Sequence, residues 1–217
     1  MEQEAFSDLA NALRHVPHLE ELSVSRNRLG TSIIDLAENL EYVPQLTRLD
    51  LRETHMDEEG GMAISDCLQA LLKLELLDTS HNPLGSAVAV IAENLCKATC
   101  LIDLNMANTK MGAKEATALV SSLMYLQNLT TLSVGSNQLA QGVSDLVWHL
   151  SEKSKLKRLN MENVEMGEEE VDNVAKTCKK LQSLAIVNDY LVSNLCSFGR
   201  YESDHYRKDS ITLCLEG

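Results

Sequence analysis

Aromatic side chains are scarce in this chain, with one Trp and two Phe in 217 residues. Its interior has to be built from aliphatic residues, and hydrophobic residues make up 44% of the whole. No apolar run approaches the ~18 to 20 residues that a membrane-crossing helix needs, so no membrane span is expected. The opening MEQEAFSDLANALRHV lacks the charged-then-apolar layout of a signal peptide, and a cytoplasmic protein with its six cysteines reduced is expected. Basic residues are also few: 19 Lys and Arg face 32 Asp and Glu, a net charge of −13. Nucleic-acid backbones and anionic membrane surfaces would be repelled, which leaves a basic or neutral protein surface as the expected partner.

Catalytic signatures are missing as well. The chain has no GxxxxGK(S/T) loop, HExxH, GxSxG or strand-to-helix GxGxxG. Cys96 and Cys100 form CKATC, yet no second pair stands at zinc-like spacing. The cluster His55, Asp57, Glu58, Glu59 reads as a solvated helix start, where carboxylates meet the positive end of the helix dipole, and not as a metal site. No enzyme activity, cofactor or metal is expected.

What the chain does contain is one unit copied seven times. The string LxxLxLxx(N/T)xL, with related apolar residues at the Leu positions, begins at Leu19, Leu46, Leu74, Leu101, Leu129, Leu156 and Leu181, at spacings of 27, 28, 27, 28, 27 and 25. A period in this range with two strand-phase leucines per copy is the signature of leucine-rich repeats. The copies alternate: eight residues after the first Leu stand Asn27, Thr54, Asn82, Thr109, Asn137, Val164 and Asp189, so the Asn copies recur every 55 residues.

Each unit reads as strand, turn, helix and loop. Period two sends Leu22 and Val24, Leu49 and Leu51, Leu104 and Met106, and their counterparts inward. After each strand an apolar quartet at i, i+3, i+4, i+7 marks one helical face, as in Ile33, Leu36, Ala37, Leu40 and in Val88, Ile91, Ala92, Leu95. In the second copy the quartet is Ile64, Cys67, Leu68, Leu71 or lies one turn earlier; the sequence leaves both open. Phe6, Leu9, Ala10 and Leu13 repeat the helical quartet without a strand before it, so the parent polypeptide is expected to continue upstream. The organisation expected is a single domain over 1–217: a partial repeat at 1–18, seven copies over 19–191, and a cap at 192–217. In that cap Leu213 and Leu215 mark a degenerate eighth strand and Arg200 to Asp209 a surface loop.

Two sets of residues carry specific expectations. Asn27, Asn82 and Asn137, with Thr54 and Thr109 in the alternate copies, are expected to be structural, because the turn after each strand leaves backbone groups that a buried side-chain amide can satisfy. The exposed columns of the sheet hold the candidate binding residues Glu21, Arg48, Asp50, Arg52, Asp78, Asp103 and Asn105. Mixed charges on consecutive strands suit a protein or microbial ligand; the same residues also suit a face that is polar simply because water covers it.

The units LEELSVSRNRL, LTRLDLRETHM, LELLDTSHNPL, LIDLNMANTKM and LTTLSVGSNQL, with their 27/28 alternation and a full helix per turn, resemble the ribonuclease-inhibitor-like class of leucine-rich repeats. The resemblance implies an α/β right-handed solenoid, a horseshoe with parallel β-strands on the concave face and α-helices on the convex face. Within that class the short acidic array looks like the C-terminal sensor region of NOD-like receptors. That implies a ligand-sensing, autoinhibitory and non-enzymatic domain of innate immunity, joined to other domains of a longer chain. A stand-alone inhibitor or adaptor, or a regulator of a small GTPase, is the alternative within the same repeat class.

Overall fold

A computed structural model describes residues 3–140, 142–151, 155–164, 170, 173–174, 185–187 and 212–213. Helices α1 (Gln3–Ala12), α2 (Ser32–Asn39), α3 (Glu58–Cys67), α4 (Ala87–Asn94), α5 (Ala113–Leu123) and α6 (Gly142–Ser151) alternate with strands β1 (Glu21–Ser23), β2 (Arg48–Asp50), β3 (Leu76–Asp78), β4 (Asp103–Asn105), β5 (Thr131–Ser133) and β6 (Arg158–Asn160). Two further strands follow, β7 (Ala185–Val187) and β8 (Thr212–Leu213). The sheet adds its strands in chain order, and β1 to β7 are parallel. Parallel neighbours cannot be joined by a tight hairpin, and the helix of each repeat supplies the crossover. Strands fill the concave face and helices the convex face of a leucine-rich-repeat solenoid. Among the described residues no helix is long and apolar enough to cross a membrane.

The last pairing differs in kind. Ile186 meets Leu213 in an antiparallel ladder, so β8 returns along β7 and ends the sheet on a reversed strand instead of adding another turn of the same sense. The expected loop from Arg200 to Asp209, along with Cys178, Asp189 and Leu215, lies outside the described residues.

Each strand is short because only the LxL core of the motif is committed to pairing. Leu49, Leu77, Leu104, Leu132 and Leu159 are fully buried, and the quartets on α2, α4, α5 and α6 line the opposite wall of the same core. In α3 the open register resolves onto Ile64, Leu68 and Leu71, all fully buried, while Cys67 is only half-buried and donates its thiol to Ile64 O at 3.0 Å. The first turn of α3 packs through glycine. A Cβ on Gly60 would collide with Ile33 Cγ2, and one on Gly61 would lie 2.8 Å from Ala87 Cβ. Only residues without side chains let α3 sit this close between α2 and α4. Asp57 begins that helix as its N-cap, accepting from the Gly60 amide at 3.1 Å, which is the structural work of the His55–Glu59 cluster.

The Asn and Thr turns form pairs. Asn82 Nδ2 donates to Leu51 O (2.8 Å), Thr79 O (3.1 Å) and Ser80 O (3.1 Å), and its Oδ1 accepts from the amides of Thr54 and Met56, both at 3.0 Å. Asn137 does the same one pair later: it donates to Met106 O, Val134 O and Gly135 O and accepts from the Thr109 and Met111 amides. Each of these Asn side chains closes its own turn and the Thr turn before it. The Thr hydroxyls each face two acceptors, Thr54 Oγ1 the carbonyl of Leu51 (2.9 Å) and Asn82 Oδ1 (3.2 Å), Thr109 Oγ1 the carbonyl of Met106 (2.9 Å) and Asn137 Oδ1 (3.3 Å). Asn27 is half-buried and donates only to Val24 O and Ser25 O.

The two turn types also differ in backbone. In the Asn turns left-handed residues stand four apart, at Arg26 and Gly30, His81 and Gly85, and Ser136 and Ala140. In the Thr turns they stand two apart, at Glu53 and His55 and at Asn108 and Lys110. This is the physical content of the 27/28 alternation.

Candidate functional site

Because the repeat spacing is nearly constant, equivalent residues stand side by side on the concave face. Register places Glu21, Arg48, Leu76, Asp103, Thr131 and Arg158 in one row, and Ser23, Asp50, Asp78, Asn105, Ser133 and Asn160 in the next. Strands in a sheet lie ~4.8 Å apart, so the candidate residues, which span more than 80 positions in sequence, form one compact patch.

Within the patch the side chains divide by task. Asp50 Oδ1 accepts from the Arg52 amide (3.1 Å), Asp78 Oδ1 from the Ser80 amide (2.9 Å) and Asn105 Oδ1 from the Ala107 amide (3.1 Å). Each side chain holds its own backbone two residues on, the geometry of an Asx turn. Asn160 repeats it with the Glu162 amide at 2.9 Å. Lateral bonds join the row: Ser23 Oγ donates to Asp50 Oδ2 at 3.1 Å, and Asn105 Nδ2 donates to Asp78 Oδ2 at 2.9 Å. These bonds make the second row rigid and occupy much of its hydrogen-bonding capacity. The signal was in the sequence, an Asp or Asn at the last position of successive strands, but it was legible only as a polar column.

The arginines do not neutralise Asp78. Arg48 Nε lies 3.8 Å from Glu21 on the adjacent strand, and Arg52, in the turn after β2, lies 3.9 Å from Asp50. Both pairs are solvated and hold their partners weakly. Asp103 is different. It is half-buried and accepts no hydrogen bond from a described residue, and its carboxyl is raised above the usual range. Burial is the first cause and the Asp78 charge the second, with Arg158 and Arg48 pulling the other way. Arg158 therefore belongs to the same electrostatic patch, although it was not among the candidate residues. The patch is thus an acidic centre, Asp78 and Asp103, with arginines at its margins.

Other thiol and imidazole chemistry is dispersed. Cys67, Cys96 and Cys100 are free thiols, and Cys96 and Cys100 are not bridged. Among the described residues no group of three His, Cys, Asp or Glu side chains could hold a metal ion.

Comparison with known proteins agrees with this architecture. Models of the leucine-rich repeat match residues 18–40 and 44–65. The chain is 30% identical to the Tonsoku-like protein of Bos taurus over 180 residues, covering 79% of this chain and 13% of that one. It is 28% identical to the ribonuclease inhibitor of Sus scrofa over 167 residues, covering 74% of this chain and 37% of the inhibitor. Similarity to protein NLRC5 of Mus musculus is 28% over 137 residues, covering 63% of this chain and 7% of that protein. The chain spans well under half the length of each of these relatives.

Proposed function

We propose, from the premise that the chain is a leucine-rich-repeat solenoid, that it is the sensing and autoinhibitory module of an intracellular NOD-like receptor and recognises a protein partner on its concave face. The array over 1–217 acts as one non-enzymatic unit. The observation that carries the binding site is Asp103: a half-buried carboxylate with no hydrogen-bond donor among the described residues, near Asp78, on a face where Asp50, Asp78, Asn105 and Asn160 each hold a backbone amide. A lysine or arginine from a partner supplies the missing donor and relieves the repulsion between the two carboxylates. A rigid sheet face needs little reordering to bind, which lowers the entropic cost of association. Similarity to NLRC5 supports the receptor reading.

A second reading is favoured by the longer match to ribonuclease inhibitor and by the net charge of −13: a stand-alone inhibitor of a basic protein. The native transcript separates the two. A nucleotide-binding oligomerisation module encoded upstream supports the receptor; in that full chain Asp103→Asn with Arg48→Gln should change basal or stimulated signalling at least ~3-fold while the thermal midpoint is kept. A reading frame confined to the repeats, with inhibition of a basic ribonuclease in a turnover assay, overturns the receptor reading.

A further inference from the structure

The convex face carries a second feature. A groove of about 620 Å³ runs along the furrow between α2 and α3, from Ile34 and Glu59 at one end to Glu41 and Ala70 at the other. Its floor is apolar and low, with Ile34, Ala63 and Cys67 half-buried at its base. Four exposed carboxylates line it, Glu38, Glu41, Glu59 and Asp66, and no Lys, Arg or His does. None of the four makes an ion pair or side-chain hydrogen bond with a described residue.

The two adjacent furrows are bridged by side-chain hydrogen bonds. Between α1 and α2, Ser7 donates to Asp35 at 2.8 Å, and Arg14, just past the end of α1, donates to Asn39 at 2.7 Å. Between α3 and α4, Ser65 donates to Val90 O at 2.9 Å and receives from Asn94 at 2.8 Å. No described side-chain hydrogen bond or ion pair crosses from α2 to α3. The Gly60 contact with Ile33 pins the two helices at their first turns, and beyond it small side chains leave the space open.

We infer that the α2–α3 groove is a docking site for an amphipathic helix of a partner protein whose narrow apolar stripe is flanked by lysines or arginines. The apolar stripe seats on Ile34, Ala63 and Cys67, and the flanking cations meet Glu38 and Glu41 on one wall and Glu59 and Asp66 on the other. The α3 helix has ten residues, so the groove is ~15 Å long and accommodates about three turns of a partner helix. Clustered carboxylates with no cation among them repel one another, and a basic helix removes that repulsion on docking. The site is independent of the concave face and lies on the opposite side of the solenoid.

The probe is a fluorescein-labelled amphipathic peptide of about fourteen Leu, Ala and Lys residues, titrated by anisotropy in about 0.15 M salt, where weak long-range attraction is screened. Neutralising the groove with Glu38→Gln, Glu41→Gln, Glu59→Gln and Asp66→Asn should weaken binding at least ~10-fold. Neutralising four exposed carboxylates elsewhere, with Glu20→Gln, Glu75→Gln, Glu93→Gln and Glu162→Gln, should weaken it less than ~2-fold. Ala63→Leu fills the floor at constant charge and should also abolish binding, with an unchanged thermal midpoint showing that the fold is kept. Asp103→Asn should bind the peptide like the parent, which separates this site from the concave one. Equal losses in the two neutralised proteins would mean that net charge alone attracts the peptide, and undiminished binding by a folded Ala63→Leu would mean that the groove is not the seat. Equal affinity for a Glu-substituted peptide, or a self-association that Ala63→Leu abolishes, would likewise overturn the proposal.

Discussion

Replacing Asn82 by Ala isolates the bond set that joins one turn to the next. Asn82 is fully buried, and the amides of Thr54 and Met56 both donate to its Oδ1 at 3.0 Å. Ala removes that acceptor while leaving both amides inside the protein. Each buried donor left without a partner costs about 1 to 3 kcal/mol, so the pair sets a loss of about 2 to 6 kcal/mol. The lost donations cost less, because Leu51 O keeps the Thr54 hydroxyl and Ser80 O keeps the Glu53 amide. Asn27 is the internal control: it occupies the same motif position, is half-buried, and donates two bonds to its own turn without accepting an amide from another turn. Asn27→Ala should cost no more than about 1 to 2 kcal/mol. Urea denaturation followed by far-UV circular dichroism reads both, with the slope of the transition checking that the surface exposed is unchanged. If the two substitutions lower the midpoint equally, the coupling between turns contributes nothing and the argument fails.

Ala140 holds φ at +45° where the equivalent turns use Gly30 and Gly85. Ala140→Gly removes about 1 to 2 kcal/mol of left-handed strain and returns about 0.5 to 1 kcal/mol as unfolded-state entropy, so the urea midpoint should rise slightly. Asp103→Asn should raise the thermal midpoint at neutral pH, because a carboxyl raised in the folded state is destabilising once ionised. That gain should shrink as pH falls through the carboxylate range, where Asp103 is protonated in both states; a gain independent of pH would show that charge is not the cause. Burial, aided by Asp66, pushes the Cys67 thiol up to about 12, whereas Cys100 is exposed. Since the thiolate is the nucleophile, iodoacetamide at pH 8 should alkylate Cys100 at least ~100-fold faster than Cys67 in the native protein, read by peptide mass spectrometry, and the difference should vanish in denaturant.

Much of the fold was legible because one unit is repeated and every copy buries the same positions. The inward leucines of the strands and the quartets beginning at Ile33, Val88, Ala116 and Val143 all declare themselves by period. The register of α3 did not, because Gly60 and Gly61 make their contacts by lacking side chains and leave no apolar mark. The rows of the concave face follow from constant spacing, so Glu21, Arg48 and Asp103 could be aligned in advance. Their partners could not: that Arg48 leans to Glu21, that Asp50 and Asp78 hold their own strand ends, and that Asp103 is left with Asp78 depends on rotamers and burial. The α2–α3 groove was equally invisible, since it arises from small residues on two helices roughly 26 positions apart in sequence.

The reach of Asn82 and Asn137 back into the preceding Thr turn gives the solenoid a parity. Excising 55 residues, one Asn turn with one Thr turn, would bring equivalent turns together and preserve every clamp. Excising a single Thr turn would press two Asn turns against each other, and the left-handed residues of the upstream turn, four apart instead of two, would not present their amides to the waiting Oδ1. Such an array should tolerate changes in the length of its faces in steps of two turns, whereas removal of a single turn should cost it a clamp and lower its stability before any partner is met.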